Sequence, residues 1–317
     1  MITFINTTDI RITQPTVVVI GKFDGEHRGH RKLFSILKEE ARKHNLKTLV
    51  FSFCTPPSSV VQHCNTTQIF TNQERRKKLE KMGIDYYIEY PFNLEISRLS
   101  GEEFLKNILI RQLNMKEIVS GEDAAFGYQK SGNTDLIRKL SHTLGYTYRI
   151  ITKEKDEFQN DISSTLIRQK LDEGDIEGAN RLLGFVYSIS GKVEEGNHLG
   201  GKTLGFPTLN LFPQESKHLP RSGVYASRVR IGEDDTLYLG LTNIGCNPTI
   251  QRDKKGHALR VETHLYNFSG NLYGREIEVF LYAYIREEKK FDSIEDLRAQ
   301  IEKDRKSVLQ FLNQNHG

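Results

Sequence analysis

The 317-residue chain has no tryptophan, three cysteines, three methionines and no apolar run near the ~18 residues that cross a bilayer. Cys54, Cys64 and Cys246 give an odd count and form no Cys-x-x-Cys pair. That argues against a disulfide framework and for a reducing compartment. The N-terminus, MITFINTTDI, lacks a basic-then-apolar leader, so neither secretion nor a membrane partner is expected and the chain reads as cytoplasmic. Charge of one sign is scarce too. Lys and Arg total 45 against 41 Asp and Glu, leaving +4 spread along the chain. So mild an excess suits anionic small molecules such as nucleotides and does not mark a nucleic-acid-binding surface.

What is present is ordinary for a globular protein, 37% hydrophobic and 27% charged residues, in a length that suits two domains better than one. The first domain is organised around VVVIGKFDGEHRGH, Val17–His30. Val17 to Ile20 are four consecutive β-branched residues, as in a buried parallel strand. Gly21, Gly25 and Gly29 keep the next turn free of bulk. From near Gly29, Leu33, Phe34, Ile36, Leu37 and Ala41 recur with helical spacing. Strand, glycine turn and helix together aim backbone N–H groups and a helix dipole at one point, which suits phosphate. No Gly-Lys-Ser/Thr follows, and the Gly-x-Gly-x-x-Gly fingerprint is missing. His27 and His30, three apart on a first helical turn, can both face one anion. A metal pair or two solvated histidines are the other readings, although no third cluster of metal-binding residues lies nearby.

The pattern Gly21-x-Phe23-Asp24-Gly25-x-His27-x-Gly29-His30 resembles the signature of the nucleotidyltransferases in bacterial bifunctional riboflavin kinase/FAD synthetases. The rest of the first half is compatible. Strands are expected at Lys47–Phe53, Ile84–Tyr90, Lys116–Ser120 and Tyr146–Thr152, and helices at Asn72–Met82, from the capping box Ser100-x-x-Glu103 to about Leu113, and at Asn133–Leu144. That alternation predicts a Rossmann-like α/β domain with a mainly parallel sheet and ligands beyond the carboxyl ends of its strands. Ser163, Ser164 and Thr165 open a further helix, with Arg168 one turn on; alone they read as a plain N-cap. The run Ile162-Ser-Ser-Thr-x-Ile-Arg168 is similar to the family's second signature, which implies a hold on the ATP triphosphate. Gly121-Glu-Asp-x-x-Phe-Gly127, with Lys130 and Gly132, resembles the stretch around the adenine and flavin ends of the site, which implies roles for Asp123 and Phe126. Asp123 also reads as a simple turn residue. Two departures stand out. Cys54-Thr55-Pro56-Pro57 replaces the usual His-Pro-His-Pro-like run, and Lys22 and Glu26 occupy positions commonly small or apolar in relatives.

From Phe185 the period changes. Strand-like segments near 185–193, 207–212, 223–231, 236–244, 258–267 and 276–284 predict a small antiparallel β-barrel, with an amphipathic helix over Asp292–Asn313 packed on it. The expected boundary puts 1–184 in the first domain and 185–317 in the second. Gly200-Gly-Lys-Thr-Leu-Gly-Phe-Pro-Thr-Leu-Asn210 is a flexible loop in which Thr208 and Asn210, two apart on an extended segment, project to one face. A Gly-rich hairpin with two polar residues is the plain reading; hydroxyl and amide oxygens also suit Mg²⁺. Arg286, Glu287 and Glu288 read as a solvated face.

This loop is similar to the flavin-kinase loop of the same family. Gly223-Val-Tyr225, Asn243-Ile-Gly-x-x-Pro-Thr249, Val261-Glu-Thr-His-Leu265 and Leu272-Tyr-Gly274 follow in the family's order. The resemblance spans essentially the whole chain and implies two ATP- and Mg²⁺-dependent steps, riboflavin to FMN and FMN to FAD with release of pyrophosphate. It implies Glu262 as catalytic carboxylate, His27, His30 and Arg168 as charge stabilisers, and Thr208 and Asn210 as metal ligands. Phosphate-binding roles fall to Gly21, Phe23, Asp24, Gly25, Gly29 and residues 163–165, and in the kinase loop to Gly201, Lys202, Thr203 and Gly205. Asn243 and Arg260 serve the flavin or nucleotide, or else the barrel surface. The expected partners are small molecules, with weak self-association left open. Two rivals stay open: a kinase that has lost adenylylation through its altered proline loop, and a flavin-sensing regulator that is no enzyme.

Overall fold

A computed structural model describes residues 1–54, 67–194, 208–245, 260–266, 268, 270–289, 291 and 293–315. Thr55–Pro57, the glycine loop with Gly201, Lys202, Thr203 and Gly205, and Pro248–Thr249 lie outside the described residues. The chain divides into two compact units, Met1–Ser164 and Thr165–Gly317.

The first unit is built on β1 (Ile2–Ile5), β2 (Thr16–Ile20), β3 (Lys47–Phe53), β4 (Tyr86–Tyr90), β5 (Met115–Gly121) and β6 (Thr147–Ile151). Every pairing among them is parallel, in the order β1-β4-β3-β2-β5-β6. Helices α1 (Arg28–His44), α2 (Asn72–Lys81), α3 (Leu94–Ser97), α4 (Gly101–Glu103) and α5 (Thr134–Leu144) connect them. Two apolar layers result. Val17, Val19, Phe34, Leu37 and Val119 form one, and Val18, Leu49, Phe51, Phe104 and Ile118 the other. Both faces of β2 are therefore covered, as its unbroken β-branched run requires. After β2 the chain winds to β3 and β4 on one side and to β5 and β6 on the other. The switch point thus lies between the carboxyl ends of β2 and β5, where such sheets bind ligands.

Sequence patterning places most of these elements to within a few residues; the single turn α3 was not anticipated, and two further differences stand out. Strand β1 was not anticipated; it is a four-residue edge strand whose Ile2 and Ile5 stay more than half exposed, so it carries no buried run to recognise. The helix expected after Ser100 begins with the capping box Ser100/Glu103, but Phe104–Gln112 winds as a π-helix.

In the second unit, α6 (Ser164–Glu173) and α7 (Ile176–Leu183) precede β7 (Ser188–Lys192), β8 (Thr208–Leu211), β9 (Gly223–Ile231), β10 (Leu237–Gly245), β11 (Arg260–Leu265) and β12 (Glu276–Arg286). All are antiparallel, in the order β7-β12-β9-β10-β11-β8. The sheet curls until its edges meet, Glu194 just past β7 bridging Asn210 of β8 through a 2.9 Å backbone bond. On one face Thr242 Oγ1 links Ser227 Oγ (2.7 Å) and Thr263 Oγ1 (2.9 Å), three fully buried hydroxyls on adjacent strands. The other face carries Val224, Ala226 and Leu241 against Val308 and Phe311 of α8 (Ile294–Asn315).

Arg286 is not part of a solvated face. Its Nε lies 3.1 Å from both carboxylate oxygens of Asp304 on α8 and its Nη2 2.8 Å from Oδ2, while Asp304 is 2% exposed. Helical spacing on α8 and a strand-end arginine do not announce each other in sequence. Glu287 and Glu288 are exposed as expected, although Glu288 Oε1 also accepts 2.9 Å from Asn243 Nδ2. Asp304→Ala strands the Arg286 charge and is expected to cost about 3 kcal/mol, the low end for breaking a buried pair. Urea unfolding and amide exchange along α8 measure it; a loss under ~1 kcal/mol, as for exposed pairs, refutes the assignment.

Candidate active sites

The first candidate site starts from backbone conformations that few residues tolerate. Gly25 has φ +86°, and a Cβ there would lie 2.9 Å from Ile69 Cδ1, so only glycine turns the chain here without strain. Gly21 is pressed against the Phe23 ring, 2.7 Å from where its own Cβ would sit. Phe23 is 1% exposed and packs on Phe34 and His30 at 5.1 and 5.3 Å between ring centroids. Its side chain therefore plugs the core, and what Phe23 offers a phosphate is backbone. Asp24 Oδ1 accepts from the N–H groups of Ile69 (2.7 Å) and Phe70 (3.4 Å). The Asp24 carbonyl accepts 2.7 Å from Ser164 Oγ. Ser163 and Ser164, 140 residues along the chain from the glycine turn, are thereby brought to it. Thr165 and Arg168 follow on α6, Arg168 one turn beyond Ser164.

His27 precedes the first residue of α1 and makes no side-chain cap. The imidazoles of His27 and His30 stack, centroids 3.8 Å apart and planes 25° from parallel. Both Nδ1 atoms are buried and make no hydrogen bond among the described residues. Gly29 lets the pair close, since a Cβ there would come 3.3 Å from the His27 ring. Asp123 is exposed and pairs with Lys153 Nζ at 3.3 Å. Phe126 is a core residue instead; its ring rests on Gly132 and 5.7 Å from Phe104, closing the 126–132 loop.

The second candidate site is set by strand register. Register partners on adjacent strands share a face. One row runs Val224, Asn243, Glu262, Asn210, and the next runs Ala226, Leu241, His264, Thr208, each across β9, β10, β11 and β8. Thr208, Asn243, Glu262 and His264 line a cavity of about 250 Å³ on the face that α8 covers, with Leu297 and Ile301 opposite. Asn210 Oδ1 accepts from Arg260, 2.7 Å from Nε and closer still to Nη2, and Arg260 Nη2 lies 3.4 Å from Glu262 Oε2. His264, Glu288, Leu297 and Ile301 were missed from sequence. His264 was findable, because it shares a strand face with Glu262 two residues away.

Comparison with known proteins assigns both halves of the chain to known families. Residues 9–166 match the family described as FAD synthetase and residues 183–312 the family described as riboflavin kinase. Bifunctional riboflavin kinase/FMN adenylyltransferase of Buchnera aphidicola (strain Sg) is 39% identical over 96% of both chains. That of Escherichia coli K12 is 35% identical over 93% of this chain and 92% of its own.

The chain belongs to the bifunctional riboflavin kinase/FMN adenylyltransferase family.

A solved structure from Streptococcus pneumoniae described as a macrolide-efflux protein has the same fold, with TM-score 0.84 and 30% identity over 100% of this chain and 99% of that one. Efflux is said of that protein; here no helix among the described residues is long and apolar enough to cross a membrane.

Members of this family handle polyphosphates, and Thr208, Asn210 and Glu262 present hard oxygen donors on one face, a set that fits Mg²⁺. Arg260 shows that two of these oxygens, Asn210 Oδ1 and Glu262 Oε2, already attract a cation. In the adenylyltransferase half, burial lowers His27 to about 4, opposed by Asp123, and holds His30 well below its usual range, with His27 and Arg75 adding to it. Both rings are neutral at physiological pH and serve as hydrogen-bonding groups, not charges. Burial likewise lowers His264 in the kinase half to about 4.

Glu26, which departs from the family pattern, is fully buried, and neither of its oxygens makes a hydrogen bond among the described residues. Burial raises its carboxyl from 4.5 to about 7, against the opposing fields of Lys78, Arg75 and Arg31. The folded state therefore holds a proton that the unfolded chain releases, and stability falls as pH rises from 4.5 through 7. Glu26→Gln keeps the shape without the charge. It is expected to stabilise the first unit by about 3 kcal/mol above pH 7, at ~1.4 kcal/mol per pKa unit, and to be neutral below pH 4.5. Urea unfolding on both sides of this window checks the sign; an equal effect at both pH values rejects the buried-charge account.

Proposed function

We propose that the two domains expected from the sequence perform successive steps with the residues just described, 185–317 phosphorylating riboflavin and 1–184 adenylylating the FMN produced. The observation that carries the kinase assignment is the pair of register rows, which gathers Thr208, Asn243 and Glu262 from three separate motifs around one cavity. In this reading Glu262 accepts the proton of the ribityl 5′-hydroxyl as its oxygen attacks the γ-phosphorus of ATP, and ADP leaves. Thr208 and Asn210 would hold the metal, with Arg260 shifting from Asn210 toward phosphate as the nucleotide arrives. A Mg²⁺ held there would supply neutralisation of the phosphate charge. Asn243, tied to Glu288, orients the flavin. The loop with Gly201, Lys202, Thr203 and Gly205 cradles the remaining phosphates.

In the first unit an FMN phosphate oxygen attacks the α-phosphorus of a second ATP, and pyrophosphate leaves. Neutral His27 and His30 turn their ring nitrogens to the phosphates, and Ser163, Ser164, Thr165 and Arg168 take the rest of the triphosphate. Gly21, Gly25 and Gly29 leave room for close approach, and Asp123 faces the far end of the substrate. Supporting this is the clustering of unpartnered Nδ1 atoms with the serine that anchors Asp24. Little covalent help is needed, since positioning and charge stabilisation dominate phosphoryl and nucleotidyl transfer. The cysteine count suits a cytoplasmic, reducing setting.

Purified protein incubated with riboflavin, ATP and Mg²⁺ is expected to form FMN and then FAD, resolved by chromatography. Glu262→Gln should lower FMN formation by ~10²–10⁴, the usual share of a general base, and leave FMN-to-FAD conversion unchanged. His27→Ala should do the reverse, slowing FAD formation by ~10²–10³ as expected for a lost preorganised donor. A fully active Glu262→Gln enzyme removes that carboxylate from the mechanism. FMN without any FAD in the wild type removes the adenylyl step.

A further inference from the structure

Helix α1 carries the histidine turn at its N-terminal end. At its other end, roughly 21 Å from His30 at 1.5 Å per residue, three potential ligands converge that neither reaction uses. Glu40 and His44 lie four apart on one helix face, and Glu117 projects from β5. His44 Nδ1 is 2.7 Å from Glu117 Oε2 and 3.6 Å from Glu40 Oε2, and all three ligand atoms fall within 4.8 Å of one another. We propose that Glu40, His44 and Glu117 bind a divalent transition-metal ion, of the Zn²⁺, Co²⁺ or Mn²⁺ class, apart from both catalytic sites.

Exposed carboxylates cluster often without consequence, but these two are 2% exposed each. Two buried carboxylates side by side are unfavourable unless cations compensate them. Arg149 Nε reaches Glu40 at Oε1, at 3.1 Å. Lys43 stays exposed, with its Nζ 4.0 Å from Oε2. His44 offsets Glu117 by charge only when protonated. Glu40 Oε2 is buried, faces the other two ligands and makes no hydrogen bond among the described residues. A bound ion replaces the imidazole proton and satisfies that oxygen as well.

Ligands sharing an ion with bonds of about 2.0–2.2 Å sit roughly 3.0–3.6 Å apart, so small side-chain shifts admit one. The C-terminal end of α1 adds its negative dipole end. The half-exposed side of His44 leaves an approach from solvent and room for water ligands. One imidazole nitrogen with two carboxylates favours a transition metal over Mg²⁺, which prefers oxygen throughout. Such an ion pins the end of α1 to β5, in the core layer that the histidine turn rests on.

The proposal is independent of the catalytic assignments and is tested without them. The full-length protein, held in excess Mg²⁺ to saturate nucleotide-linked positions, is titrated with Co²⁺ and followed by visible absorption, equilibrium dialysis and thermal unfolding. One Co²⁺ per chain, a spectrum of mixed nitrogen and oxygen coordination and a raised Tm are expected. His44→Ala, at a half-exposed helix position, should fold, retain both reaction rates and bind Co²⁺ at least ~10–100-fold more weakly, the loss typical of weakened metal sites. Glu117→Gln should match it. Co²⁺ uptake with unchanged affinity and spectrum in His44→Ala overturns the site, as does wild-type protein that takes up no Co²⁺ at millimolar concentration.

Discussion

Strand register is the constraint on which the kinase half depends. A slip of one residue between β11 and either neighbour turns Glu262 and His264 to the opposite face and dissolves the cavity. Fully buried hydroxyls on that opposite face hold the pairing. Thr242 bonds both Ser227 and Thr263, and a slipped register would leave these groups unsatisfied in the interior, each at about 1–3 kcal/mol. The outer face adds Val224, Ala226 and Leu241 under α8. Inner polar pairing and outer apolar packing thus select the same register, and the Arg286–Asp304 pair fixes the helix that roofs it.

The adenylyltransferase half solves a comparable problem with loops. Its signature residues divide into those that build the turn and those whose polar atoms are left without a hydrogen bond among the described residues. Asp24, Phe23 and Gly25 belong mainly to the first group: the carboxylate clamps Ile69 and Phe70, the ring fills the core, and the glycine adopts φ +86°. Stacked and buried, His27 and His30 belong to the second. Burial that keeps them neutral also makes their Nδ1 atoms, which have no hydrogen bond among the described residues, costly. Strain and unmet hydrogen bonding therefore collect at the carboxyl end of β2, the switch point of the sheet.

Much of this was legible in the residues. The β-branched run Val17–Ile20, the glycines after it and the helical spacing of Leu33 to Ala41 announce strand, turn and helix, because each period reflects one buried face. Thr208 and Asn210 share a face by strand geometry alone. Glu262 was read from its motif, but whether it faces water or a cavity depends on α8, whose Leu297 and Ile301 come from far along the chain. Arg286, taken for a solvated residue, proved to be committed to Asp304 for the same reason. Phe126 lies in a motif that resembles the family's stretch around the substrate, yet its ring is spent on Gly132 and Phe104.

Local order, chemistry-bearing motifs and the two-domain plan follow from the sequence by itself, since helix and strand periods, turn residues and ligand types act over a few neighbouring positions. Tertiary structure alone decided which oxygens and nitrogens meet: Ser164 with Asp24, Asn210 with Arg260, and His44 with two glutamates. Those partners are separated by many residues or by a change of strand, and their approach is set by register, helix docking and burial. None of these is encoded in the spacing of any single segment.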